Sequence, residues 1–135
     1  MAEWLSEEWS QEVADLGGSR PEVAGANGTV SLTVTRGKGI AAAYHWAYQD
    51  GRPGAGGVGQ LADADLVLTI PDADAALVAA GEVEPSVAYM RGRLKGSGDG
   101  ALLLGWLAST ATDAYAEWRL RVTDVAGGPP ASDSS

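Results

Sequence analysis

A chain of 135 residues, 45% apolar and 20% charged, has the length for one modest core and the composition of an ordinary globular domain. Nine Lys and Arg against 18 Asp and Glu leave a net charge of −9 at pH 7, which repels a phosphate backbone and disfavours firm docking on an anionic bilayer; nucleic acid is excluded as a partner and membrane contact is at most transient. The absence of cysteine removes disulfides, thiolate catalysis and thiolate metal sites together.

Residues 3–16 read as an amphipathic helix, with Leu5, Trp9, Val13 and Leu16 on one face and Glu8, Glu12 and Asp15 off it. Gly17-Gly18 stops it. The start, MAEWLSEEWSQEV, has neither a basic n-region nor an apolar h-region, and no run reaches the ~18 apolar residues of a membrane span, so a cytoplasmic location is expected. Thr29–Arg36 alternates, Val30, Leu32 and Val34 against Ser31, Thr33 and Thr35, as a half-buried strand does. Gly37-Lys38-Gly39 turns the chain into a second strand, Ile40–Gln49, which puts Tyr44, Trp46 and Tyr48 on one face. Asp50–Gly59, rich in Gly and Pro, reads as the loosest internal loop.

Ala64–Ile70 is the next strand. Asp72 is placed as the N-cap of a helix that ends at Gly81, with Asp74 in its first turn. Pro85–Met90 is one or two helical turns, and Gly92–Gly98 a strand with Leu94 facing inward. Asp99 caps a helix whose apolar stripe is Leu102, Leu103, Trp106 and Leu107. Ala116–Val125 alternates again and reads as an edge strand, with a helix the alternative for its first half. The globular unit is expected over 1–125, with a disordered tail over 126–135.

Within residues 64–108 the order of pieces resembles the sterol carrier protein type two family. The matching residues are Ala64-Asp65, the apolar run Leu66–Thr69, Asp72, Gly81-Glu82-Val83-Glu84-Pro85, Ala88-Tyr89-Met90 and Gly92-Arg93-Leu94-Lys95-Gly96-Ser97-Gly98-Asp99. The resemblance implies an α+β fold, a five-stranded mixed β-sheet covered on one face by helices, with an apolar tunnel between. It implies a non-enzymatic carrier of a sterol, a fatty acid, an acyl-CoA or a similar hydrophobic molecule. Gly96 departs from the family's apolar strand residue and is expected to widen the cavity or bend the strand. The sequence after Thr110 also departs, which bears on the tunnel mouth.

Tyr44, Trp46, Leu66, Leu68, Leu77, Met90, Leu94, Leu103, Trp106 and Leu107 are the candidate ligand-binding residues; by composition alone any core would use them. Release is expected to need opening of the helix Asp99–Ala108 or of the segment after it. His45, the one histidine, alternates away from the Tyr44 face towards solvent, and no Gly-x-Ser-x-Gly motif accompanies it, so no catalytic residue is assigned. Asp63, Asp65, Asp72 and Asp74 sit at a strand start and a helix start rather than at calcium-loop spacing, and neither a metal nor a cofactor is expected. Arg91, Arg93 and Lys95 would form a basic face, solvated or docking an anionic group. The alternative function, an accessory module forming a homodimer or serving a partner enzyme, rests on an exposed Trp4 and the atypical 110–125 segment; an enzyme acting on a hydrophobic substrate comes last.

Overall fold

Aliphatic residues alternating with Ser and Thr make Gly28–Arg36 a strand, β1, and the computed structural model, which describes residues 3–129, sets it at the centre of the sheet. The turn at Gly37-Lys38 returns the chain as β2 (Gly39–Gln49), antiparallel to β1. Asp50 and Gly51, at φ 51° and 84°, then form a two-residue hairpin turn into β3 (Arg52–Val58).

The stretch expected as the loosest loop is therefore an edge strand. Its glycines serve close backbone approach. A β-carbon on Gly56 would overlap the His45 carbonyl where the strand bulges, and one on Gly17 would meet the Gly54 oxygen at 2.8 Å.

β4 (Leu66–Pro71) runs parallel to β1, and β5 (Lys95–Gly98) antiparallel to β4, giving the order β3-β2-β1-β4-β5. Between them lie α2 (Asp72–Ala79) and α3 (Pro85–Met90). Asp72 is the first residue of α2 rather than its cap, which is Pro71. Its carboxylate pairs with Arg36 at 2.8 Å, and that partner holds its pKa below the usual carboxylate value.

α1 (Glu7–Asp15) starts later than the expected residue 3, capped by Ser6 Oγ, which accepts the Trp9 N–H. α4 (Gly100–Ser109) is capped as expected by Asp99, which accepts from the Leu102 N–H at 3.1 Å. α5 (Asp113–Ala126) replaces the expected edge strand at 116–125. Trp118, Val122 and Ala126 recur every four residues and are buried, whereas Leu120 is 55% exposed, so the helical row outweighs the two-residue alternation. Ala126 closes that helix fully buried, and Gly127 is buried after it, so the tail does not begin at 126; residues 130–135 lie outside the described ones.

Val30, Leu32 and Val34 share a sheet face with Tyr44, Trp46, Leu66, Leu68 and Ile70. The helices cover it: α1 lies on β2 and β3, α2 on β1 and β4, α4 on β4 and β5, and α5 packs on α1. On the other face Ser31 and Thr33 are buried under a strap formed by residues 59–64. Gly59 N–H donates to Ala43 O, Gln60 Nε2 to Thr33 Oγ1, and Leu61 N–H to Ser31 Oγ, so these buried polar groups are satisfied.

Candidate ligand cavity

Between sheet and helices is an apolar cavity of about 90 Å³. The sheet supplies its floor, Leu32, Val34, Tyr44 and Ile70. Ala75, Val78 and Ala79 of α2 wall one side, with Leu94 and Trp106 beyond them. The roof comes from the two ends of the chain: Trp4, Leu5, Trp9 and Val13 at the start, Tyr115, Trp118 and Val122 on α5.

Two indole hydrogen bonds clamp this roof. Trp9 Nε1 on α1 donates to Gly127 O at the end of α5 (2.9 Å), and Trp118 Nε1 on α5 donates to Leu16 O at the end of α1 (3.0 Å). Each indole thus bonds a carbonyl at the end of the other helix; Leu16 O also accepts from the Ser19 N–H and hydroxyl. Arg119 Nη1 ties α5 to Ala79 O at 3.1 Å. A second hollow of about 240 Å³ lies outside, against Glu84, Thr112 and Asp113, and shares Val78, Pro85, Tyr115 and Arg119 with the cavity. Tyr115 and Arg119 of α5 therefore border both.

The candidate residues separate into three groups. Tyr44, Leu94 and Trp106 face the cavity. Trp46, Leu66, Leu68, Leu103 and Leu107 are buried but belong to the packed core beside it. Leu77 is 39% and Met90 84% exposed, outside the cavity altogether. Met90 ends its short helix, and the buried side of that helix is Pro85 and Ala88, which leaves the Met side chain pointing to water. Gly96 does not widen the cavity, because a β-carbon there would lie 2.9 Å from the Leu103 methyls; Leu103 already fills the space.

Arg20, which no sequence motif singles out, is the other notable group. It is 6% exposed, its guanidinium carbon 3.6 Å from the Trp46 ring centroid and 4.0 Å from that of Trp118. Its Nε is buried without a hydrogen-bond partner. Burial pushes the Tyr44 hydroxyl up in pKa, with the Arg20 charge opposing, and Tyr115 is pushed up by burial to about 12. The lining contains two arginines and no Asp, Glu or His among the described residues.

The other groups weighed for chemistry lie elsewhere. His45 is half-buried on the strap side, its Nδ1 3.1 Å from Gly59 O. Asp65 Oδ2 accepts the Thr29 N–H, and Asp74 pairs with Arg93 at 3.0 Å. Of the expected basic face only Lys95 is in β5, so Arg91 and Arg93 do not line a strand. Trp4, expected to be exposed, is half-buried against Trp9, ring centroids 4.9 Å apart.

A model of the SCP-2 sterol transfer family matches residues 8–106. A conserved hypothetical protein from Thermus thermophilus, TT1886, described as a candidate sterol carrier protein, superposes with a TM-score of 0.65 at 22% identity, covering 98% of this chain and 95% of that one. A crystal structure of sterol carrier protein 2 gives 0.64 at 25% identity over 87% and 98% of the two chains. Sterol carrier protein 2 like 2 from Aedes aegypti gives 0.53 at 18% identity over 72% and 87%. No curated protein sequence matches the chain significantly.

Proposed function

Since the chain belongs to the SCP-2 sterol transfer family, we propose that it carries a single hydrophobic molecule in the cavity between sheet and helices and performs no reaction on it. The observation that supports this most is the lining, which is aromatic and aliphatic with no histidine or carboxylate among the described residues to move a proton. His45, the one imidazole, is on the opposite side of the sheet. What the site offers is removal of apolar surface from water, worth roughly 25 cal/mol per Å² before the loss on immobilisation.

At about 90 Å³ the cavity is far below the roughly 300–1,000 Å³ of ligand pockets, so a lipid is admitted only as the roof lifts. The α1–α5 clamp is where that opening is proposed. Two indole bonds and packed side chains join these end segments, whereas α4, expected to move, is buried through Leu102, Leu103, Trp106 and Leu107. No helix among the described residues is long and apolar enough to cross a membrane.

The accessory-module alternative loses its first motive now that Trp4 forms part of the cavity roof. Native mass spectrometry after incubation with oleate and, separately, cholesterol tests the carrier reading. A one-to-one adduct with either is expected. Absence of any adduct, with unchanged tryptophan emission across the titration, overturns it.

A further inference from the structure

The net charge of −9 is not spread evenly over the molecule. β1 and β4 end where β2 and β5 begin, so the strand register gathers four segments at one end of the sheet. Arg36 closes β1 and Lys38 sits in the turn after it, while Arg91 and Arg93 lead into β5 and Lys95 opens it. Five of the nine Lys and Arg residues thus collect there. Asp72 and Asp74, which α2 begins with at the same end, are taken up by Arg36 and Arg93. Lys38, Arg91 and Lys95 are exposed and, among the described residues, in no ion pair. The opposite end of the sheet carries Asp50, Asp65 and Asp99 at the strand termini, against Arg52.

Two large apolar side chains interrupt the basic end. Ile40, two residues after Lys38, is 57% exposed, and Met90, next to Arg91, is 84% exposed. The apolar cavity and the hollow beside it reach neither of them nor the three free cations. Apolar tips held out singly between cations form no groove for a peptide. They fit a surface that is fluid, anionic at its boundary and apolar beneath it. α1 is the contrast: Glu7 and Glu8 occupy its first turn and its last turn has no basic residue, so such a surface repels it.

We infer that this end of the sheet docks on an anionic bilayer, with Lys38, Arg91 and Lys95 against the lipid phosphates and Ile40 and Met90 dipping below them. The contact is weak and reversible, since three cations and two side chains supply it. The acidic end faces away from the membrane. The inference stands apart from the carrier reading, because none of these five residues lines the cavity.

Flotation of the full chain with lipid vesicles tests it. Binding is expected to phosphatidylcholine containing about 30% phosphatidylglycerol, lost in about 0.5 M salt, and not to phosphatidylcholine alone. Lys38→Gln combined with Arg91→Gln and Lys95→Gln should lower the partition about a hundredfold, roughly fivefold per cation. Ile40→Ser combined with Met90→Ser should lower it about tenfold. Arg52→Gln combined with Arg121→Gln, exposed cations outside this end, should leave it unchanged. All these positions are exposed, and urea midpoints confirm that each variant is folded. Equal binding of the unaltered protein to both kinds of vesicle, or to neither, overturns the inference without any variant. An equal loss in the Arg52 and Arg121 variant overturns the assignment to this end. A loss in the cation variant with none in the Ile40 and Met90 variant makes the partner an acidic macromolecule and overturns the bilayer.

Discussion

Leu32 and Leu68 are register partners on neighbouring parallel strands, facing the same side of one sheet, yet their surroundings differ. Leu68 lies fully buried on the β4–β5–α4 side, where Leu103 fills even the space left by Gly96. Leu32 lies on the β1–β2 side, where the roof of α1 and α5 stands off and leaves a void. One layer therefore contains a packed half and an open half. The packed half has side chains of one strand and one helix meeting directly, as protein interiors do. The open half is roofed by aromatic residues from both ends of the chain, whose bulk props the helices apart from the floor.

The sharpest test is to remove the same atoms on both sides. Leu68→Ala should lose about 2–5 kcal/mol of unfolding free energy, and Leu32→Ala no more than about half as much, since part of that side chain already faces empty space. Urea midpoints measure both, and equal losses would break the comparison.

Alkaline pH separates the halves next. Burial holds the Tyr115 proton to about pH 12, whereas in the unfolded chain a tyrosine ionises near 10. The folded state then binds more protons than the unfolded state over that window, so stability is intact below about pH 10 and falls as pH rises through about 12. Tyr115→Phe should flatten the decline seen in denaturant midpoints between pH 9 and 11.5, and an unchanged decline would place the tyrosine outside the buried roof. Filling the open half should act in the opposite direction. Ala75→Leu, projecting into the void, is expected to raise stability by about 0.5–1 kcal/mol while abolishing lipid uptake. The smallest effect is expected from Met90→Ser, at an 84% exposed position that belongs to neither half: stability within about 0.5 kcal/mol and unaltered ligand binding.

The packed half was the legible half. Leu66, Leu68 and Ile70 of β4 recur every second residue, and Leu102, Leu103, Trp106 and Leu107 of α4 fall at helical spacing, the patterns that a period of two or of 3.6 reveals. The ordered motif from Ala64 to Asp99 carried the family, and with it the five-stranded mixed sheet. The open half was not legible to the same degree. β3 has almost no apolar alternation because its glycines let α1 and its following turn approach; the signal that would have found it is Asp50-Gly51, a two-residue hairpin dipeptide. α5 alternates by accident of Leu120, and Thr112 followed by Asp113 was the helix-start signal to weigh against it. The Leu5, Trp9 and Val13 stripe was visible, but nothing in a stripe says whether it meets side chains or a void. Arg20 had no sequence signal, since its burial comes from two tryptophans distant in the chain.

The strap at 59–64 also divides the molecule in time. β1, β2 and β3 join through tight turns and can associate as soon as they are made. The parallel seam between β1 and β4 must wait until the chain has crossed the back of the sheet, a long closure that the meander does not face. Nicked within the strap, the protein would become two fragments meeting along that seam and through the α1–α5 contacts, and their recombination would turn from a unimolecular event into one governed by concentration.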